Sequence, residues 1–288
     1  MRSFSDNETK QIIQLYNDGL TSLKICTLFR TSKKTILDLL RNNNVLIRPN
    51  GSVRKYSLDE YYFNTIDTPN KAQILGMLFA DGCLVECNNS IQIQLSEKDK
   101  DYLDFIKREL KTNKPLVEKK SKKFISPSNK REYIRNKSFC LTIRSMTLYN
   151  SCLNLGLISR KSSSITKLPD IPIQFLKSFI LGFFEGDGNV YYNKKCRVSR
   201  FNILCQENIG DEIIKIIKEY TGVILQKRFW GKTKKHLNLF YIETQKKRDI
   251  EILFEWLYKD SEFYMERKHH IFKNIIGNKA EPIKELIS

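Results

Sequence analysis

Several familiar ingredients are scarce in this 288-residue chain. No apolar run approaches the roughly 18 residues that a membrane span needs, and the opening MRSFSDNETK lacks the apolar stretch of a secretory signal. A cytoplasmic protein with no membrane partner is therefore expected. Proline and glycine are few, 7 and 12, against 41% hydrophobic residues, which excludes collagen-like and disordered chains and leaves core enough for about two domains. Histidine occurs only at 236, 269 and 270. The 7 cysteines, at 26, 83, 87, 140, 152, 196 and 205, are odd in number and show no CxxC spacing, so reduced, mostly buried thiols are expected. Cys83 and Cys87 could form half of a zinc site, but no second half is evident.

Acidic residues are also in deficit. The chain sets 32 Asp plus Glu against 50 Lys plus Arg, a net charge of +18 that favours a polyanionic partner. Its joint richness in Lys, Asn and Ile is what biased coding DNA would also produce, but bias would be diffuse. Here the charges cluster: residues 111–137 hold ten basic and two acidic side chains, 194–200 four and none, and 227–235 five and none.

Residues 8–18 (ETKQIIQLYND) place apolar side chains at 12, 13, 15 and 16 and stop at Gly19, a helical stripe. Ser22 can cap a second short helix, SLKICTLFR, and Ser32 a third, SKKTILDLLRNN. Three short helices within about 45 residues resemble the helix-turn-helix modules of resolvases and repressors. The alternative is a helical packing or oligomerisation appendage. In such modules the last helix enters the major groove, so Ser32, Lys33, Lys34 and Thr35 would face bases or phosphates. The following Arg48-Pro49-Asn50-Gly51-Ser52 reads as a linker.

The remaining chain repeats itself. AQILGMLFADGCL at 72–84 recurs as SFILGFFEGDGNV at 178–190, an offset of 106 residues. Gly76 aligns with Gly182, Ala80 with Gly186, Asp81 with Asp187 and Gly82 with Gly188. Small residues four apart lie on one helix face and let two backbones approach, so Gly76, Ala80, Gly182 and Gly186 are expected at a helix interface. Gly82 and Gly188 fit a helix C-terminal stop.

Each aspartate falls in the last turn of its helix, where exposed carbonyls already make a carboxylate unfavourable by roughly 0.3–1 kcal/mol. Packing the two helices together adds repulsion between the carboxylates, and each interior glycine costs about 1 kcal/mol relative to alanine. A divalent cation removes the electrostatic cost, because carboxylates and helix-terminal carbonyls are the hard oxygen donors that Mg²⁺ takes.

Both segments resemble the signature helix of LAGLIDADG homing endonucleases, in the single-chain form with two copies, and the similarity runs from about Tyr56 to the C-terminus. The resemblance implies an α+β fold. Two pseudo-symmetric αββαββα repeats would each carry a saddle-shaped antiparallel sheet lying along the DNA major groove, beside the small all-α module. The expected divisions are a helix-turn-helix module at 1–48, a linker and lead-in at 49–70, a first repeat at 71–168 and a second at 169–288. It also implies that Asp81 and Asp187, with main-chain oxygens of Ala80 and Gly186, bind Mg²⁺, for which Mn²⁺ substitutes, and that double-stranded DNA is cut once per strand across the minor groove.

Downstream of each aspartate the same order follows: two strand-like runs, a helix, two more strands and a helix. The second hairpins carry Lys119, Lys120, Lys122 and Lys123 in one copy and Lys227, Arg228, Lys232, Lys234 and Lys235 in the other. Recurrence on the face a duplex should occupy favours phosphate contact over solvated edge protection. Lys194, Lys195, Arg197 and Arg200 form a further basic group assigned to DNA. Lys161 follows Asp81 by 80 residues and Lys268 follows Asp187 by 81. By resemblance each stabilises charge at the scissile phosphate or orients water; otherwise each is a helix-capping or surface lysine. Gln94 matches a family position that orders water, with apolar Ile203 as its counterpart.

The expected activity is therefore metal-assisted hydrolysis of a long, near-asymmetric duplex site by a monomer, in the setting of intron homing. The alternatives are an RNA maturase or transcription regulator of the same fold that does not cleave, and a structural nucleic-acid coat. An intein-embedded enzyme is disfavoured by a start at Met1 and an end in ELIS without His-Asn.

Overall fold

The structure, a computed structural model, describes residues 4–47, 55–126, 131–159, 167–232 and 238–277. They divide between Ser57 and Leu58 into two compact units.

The first unit comprises α1 (Asp6–Asn17), α2 (Ser22–Leu28) and α3 (Lys33–Asn42). α1 starts ahead of its apolar stripe because Ser5 and Glu8 cap it reciprocally, the Ser5 hydroxyl accepting the Glu8 N–H and the Glu8 carboxylate the Ser5 N–H. Thr21 rather than Ser22 caps α2, accepting the Lys24 N–H at 3.2 Å, and Ser32 caps α3 through the Thr35 N–H at 3.1 Å. Ile12, Tyr16, Ile25, Cys26, Ile36 and Leu40 close a core of its own. Lys33 and Lys34 are exposed at the start of α3.

The second unit runs α4 (Pro69–Ala80), β1 (Gly82–Val85), β2 (Ser90–Ser96), α5 (Lys100–Glu109), β3 (Val117–Lys119), β4 (Lys122–Ile125), β5 (Glu132–Arg135), β6 (Ser138–Arg144) and α6 (Met146–Asn154). It then continues α7 (Leu176–Asp187), β7 (Gly188–Asn193), β8 (Val198–Gln206), α8 (Glu207–Thr221), β9 (Gln226–Lys232), β10 (Asn238–Thr244), α9 (Lys247–Tyr258) and α10 (Glu266–Ile276). Two antiparallel sheets share one topology, β1-β2-β6-β3 and β7-β8-β10-β9. The α+β fold and its internal duplication are thus present. In the first half β4 and β5 pair as a separate two-stranded sheet; in the second half α10 follows α9, and the stretch that corresponds to it in the first half lies largely outside the described residues. Each sheet buries one face, Ile91, Ile93, Leu95, Leu141 and Ile143 in the first, Phe201, Ile203, Cys205 and Ile242 in the second. No described helix is long and apolar enough to cross a membrane.

Between the sheets lie α4 and α7, buried almost all round from Ala72 to Ala80 and from Ser178 to Glu185. Their backbones touch reciprocally. A Cβ at Gly76 would overlap the Phe179 carbonyl oxygen and stand 2.9 Å from the Phe183 nitrogen, and one at Gly182 would overlap the Gln73 carbonyl oxygen. Gly82 and Gly188 are not left-handed stops: neither has positive φ, and Asp81 caps α4 in right-handed geometry. They are small because the chain doubles back against its own helix, where a Cβ at Gly82 would lie 2.6 Å from the Leu78 carbonyl oxygen and one at Gly188 would overlap the Phe184 ring.

Because rigid backbone cannot yield as a flexible side chain does, Gly76→Ala or Gly182→Ala should destabilise the fold by roughly 1–3 kcal/mol, despite alanine's better helix propensity. Gly231→Ala, with nothing within 4 Å of its Cβ, should leave stability near wild type. Urea denaturation of the three variants checks this contrast.

Candidate functional site

The close contact brings the C-terminal ends of α4 and α7 together. Asp81 and Asp187 are exposed there, although the turns before them are buried. A Cβ added to Gly186 would overlap that of Ala80 and lie 3.4 Å from Asp81 Oδ2, so the Asp81 carboxylate sits against the last turn of α7. On the other side, burial first and then the charge of Asp187 push the Cys205 thiol up to about 12, which puts Asp187 within electrostatic reach of β8. The four small positions Gly76, Ala80, Gly182 and Gly186 therefore lie where the two helices meet.

The end of α7 is held by Lys268 from α10. Its Nζ lies 2.7 Å from the Phe184 carbonyl oxygen, 2.8 Å from that of Glu185 and 2.5 Å from that of Gly188. An ammonium has three N–H groups, and all are directed to main-chain carbonyls at the end of α7 and the start of β7, of which that of Phe184 also accepts the Gly188 N–H. Burial, then the charge of Arg267, draws the lysine down to about 8, against the opposing pull of Glu185, Asp81 and Asp99. The geometry gives Lys268 a helix-capping role rather than the phosphate-facing one carried over from the family. The Gly186 carbonyl is not among its partners. Lys161, its expected equivalent, lies outside the described residues.

Sequence reading missed the polar cluster beside this cap. Glu185, fully buried, accepts the Met265 N–H at 2.6 Å and the Gln73 amide at 3.1 Å, joining the two halves. Under the 106-residue offset this contact maps onto Phe79 and Phe179, whose rings meet edge to face at 5.4 Å. The same interface is thus ionisable on one side and aromatic on the other. Arg267 adds a second tie between halves, its Nε 2.6 Å from Asp99.

Gln94 stands on the solvent side of the first sheet, accepting from Lys119 Nζ at 2.5 Å and donating to Ser138 Oγ at 2.8 Å. It is the residue next to the Gly82–Ile93 pair and therefore in line with Asp81. The corresponding pair in the second half is Gly188–Ile203, so the counterpart of Gln94 is Leu204, one residue beyond the expected Ile203.

The remaining basic residues separate. Lys119, Lys120, Lys122, Lys123, Lys194, Lys195 and Arg197 are exposed, although Lys123 pairs with Glu132 at 2.9 Å. Lys227 turns to the helix side of β9, where Glu207 and Asp211 hold its ammonium at 3.0 and 2.9 Å, so it does not share a face with Arg228. Arg228 is gripped by both Glu243 oxygens. Arg200 lies on the solvent-facing side of β8, and its Nε is buried without a hydrogen-bond partner. The side chain of Lys232, and Lys234 and Lys235 altogether, lie outside the described residues.

Among the described residues no three His, Cys, Asp or Glu side chains converge on one point. The Asp81 and Asp187 carboxylates at the helix ends are hard oxygen donors, the kind that could hold a divalent cation such as Mg²⁺. All 7 cysteines are free, and Cys83, Cys87 and Cys196 are exposed.

No protein-family model and no curated protein matches this chain. Among solved structures it is similar to the homing endonuclease I-WcaI bound to its DNA recognition sequence, at 13% identity and a TM-score of 0.48, covering 80% of this chain and 97% of that one. Full-length DUF199/WhiA from Thermatoga maritima follows at 15% and 0.43, covering 79% and 66%. The I-LtrWI LAGLIDADG homing endonuclease bound to target DNA stands at 14% and 0.41, covering 76% and 89%. These are distant likenesses of fold.

Two outcomes follow from the buried groups. Lys268→Met removes the side-chain donor from three main-chain carbonyls, of which that of Phe184 keeps the Gly188 N–H, and should cost roughly 1–3 kcal/mol per group left unsatisfied, read by chemical denaturation. Burial raises the Glu185 carboxyl from 4.5 to about 7, so the folded chain holds that proton more tightly than the unfolded one. Its contribution to stability is full below pH 4.5 and is lost as pH rises to about 7, and Glu185→Gln should flatten that slope. An unchanged slope would show that Glu185 is ionised throughout.

Proposed function

We propose that the chain is a site-specific double-strand DNA endonuclease of the LAGLIDADG homing type. The observation that carries this reading is the pair of exposed carboxylates, Asp81 and Asp187, at the adjoining ends of two helices in backbone contact. A carboxylate at a negative helix end is disfavoured by the helix dipole, and here two such ends adjoin.

Asp81 and Asp187, with main-chain oxygens of Ala80 and Gly186, would hold Mg²⁺ or Mn²⁺. When bound, the ion supplies an acidified water and offsets charge on the phosphate. Gln94, its amide fixed by Lys119 and Ser138, orients water on the Asp81 side, a role Leu204 cannot duplicate. Lys268 acts on the site by fixing the end of α7, and Lys161 would act at the end of the first half. Hydrolysis by in-line attack of water needs no covalent intermediate on the protein.

The partner in this reading is duplex DNA with a long, near-asymmetric target, contacted at phosphates by Lys120, Lys122, Lys194, Lys195 and Arg197 and, from the first unit, by Lys33 and Lys34. Two different halves on one chain make a monomer sufficient, and intron homing is the natural setting. One observation favours a second reading, a non-cleaving DNA- or RNA-binding protein: the Lys268 ammonium is spent on carbonyls rather than offered to a phosphate.

Asp81→Asn and Asp187→Asn decide between the readings. Each should lower Mg²⁺-dependent single-turnover cleavage by at least a hundredfold and leave binding in Ca²⁺ intact, because the neutral amide is a poor ligand for the metal. Full cleavage by the double variant would remove these residues from the chemistry. A wild-type protein that binds its selected site but never nicks it in Mg²⁺ would establish the second reading.

A further inference from the structure

The solvent-facing sides of the two equivalent sheets carry different chemistry. We infer that they read different bases: the centre of the first sheet reads A·T pairs, and the second sheet reads a guanine through Arg200. The inference rests on the proposal that duplex DNA lies on these faces.

Strand alternation identifies the residues. In the first sheet the side opposite Ile93 and Leu141 presents Gln92, Gln94, Val117, Cys140 and Thr142, aligned by the Gln92–Thr142, Gln94–Cys140 and Val117–Cys140 pairs. The acid within these strands, Glu118, pairs with Phe139 on the helix side, and the guanidinium of the face, Arg144, stands at the outer end of β6. The centre is therefore made of amides and small apolar groups, with one ammonium on the same face, that of Lys119, tied to Gln94 Oε1 at 2.5 Å. Gln92 is held in place, its Nε2 3.1 Å from Cys140 Sγ and 3.3 Å from Thr142 Oγ1. With its amide N–H groups so used, Gln92 offers a carbonyl acceptor, which suits adenine N6–H or cytosine N4–H, and exposed Val117 with the Thr142 methyl, matched to the C5-methyl of thymine, turns the choice to A·T.

In the second sheet the position equivalent to Gln92 is Asn202, which is buried, and its neighbour on the same face is Arg200, paired across the strand with exposed Tyr191. Two arginines stand on this side, and they differ. Arg228 is closed by a bidentate bond to Glu243, at 2.9 and 3.2 Å, and lies 5.5 Å over the Tyr241 ring. Arg200 has no ion pair among the described residues; its Nε is buried without a partner, so the terminal N–H groups of the guanidinium are what it can offer a base. A guanidinium fork on a strand in the major groove finds its best match in O6 and N7 of guanine. The target is thus asymmetric in composition as well as in sequence.

The test is selection from a randomised duplex library by the full-length protein in Ca²⁺, using wild type, Arg200→Ala, Arg200→Lys and Gln92→Arg. Wild type should enrich sites with A·T pairs under one half and a guanine under the other, the guanine favoured by roughly fivefold to a hundredfold. Arg200→Ala should erase the guanine preference and leave the A·T half unchanged. Arg200→Lys, which keeps the charge and loses the fork, should also lose the guanine preference while retaining salt-dependent affinity, so a folding defect cannot mimic the result. Gln92→Arg should convert one A·T position to G·C. Enriched sites with the same base bias in both halves, or a guanine preference that survives Arg200→Lys, would overturn the inference while leaving DNA binding established. Retention of no duplex at all by wild type would overturn both.

Discussion

Everything in the larger unit depends on the contact between the backbones of α4 and α7. Gly76 faces the Phe179 carbonyl and Gly182 the Gln73 carbonyl, with no room for a β-carbon on either side. Surfaces this close fix where both helices end, and hence where Asp81 and Asp187 emerge. They also fix where each sheet begins, since β1 and β7 start at the next residue, Gly82 and Gly188. The Asp81 carboxylate lies against Gly186, the residue before Asp187, because two backbones meet. The helix-propensity cost of interior glycine is offset by packing that any larger residue would prevent.

On this symmetrical frame the two halves have diverged where chemistry matters. The interface contact that is Glu185 with Gln73 on one side is Phe79 with Phe179 on the other. Gln94 in the first sheet corresponds to Leu204 in the second. A protein built from two identical subunits could not differ in this way across its axis. One chain can, as the proposed near-asymmetric target would require.

Much of this was legible in the sequence, for a physical reason. Small residues four apart, followed by Asp-Gly, leave a pattern because a close helix pair tolerates little else, and the pattern appears twice. The strand and helix order after each aspartate was readable by alternation and by apolar stripes, and Ser32 announced the start of α3 by its capping chemistry. What escaped was whatever depends on which way a side chain turns. Lys227 and Arg228 are neighbours in a basic run, but a strand sends them to opposite faces, where Glu207 and Asp211 claim the first. The counterpart of Gln94 was displaced by one residue because β-strand register is set by pairing, which sequence spacing does not reveal. Glu185 passed as part of an apolar helix, since its partners Gln73 and Met265 lie far away in sequence.

The central claim is that a divalent cation sits between the ends of α4 and α7, and replacing Mg²⁺ by Fe²⁺ tests it most directly. With ascorbate and peroxide, iron bound there generates hydroxyl radicals that cut the nearest polypeptide backbone. The account predicts scission of the full-length protein at two places, beside Asp81 and beside Asp187, suppressed by excess Mg²⁺. Scission elsewhere in the chain, or scission that Mg²⁺ does not suppress, would contradict it.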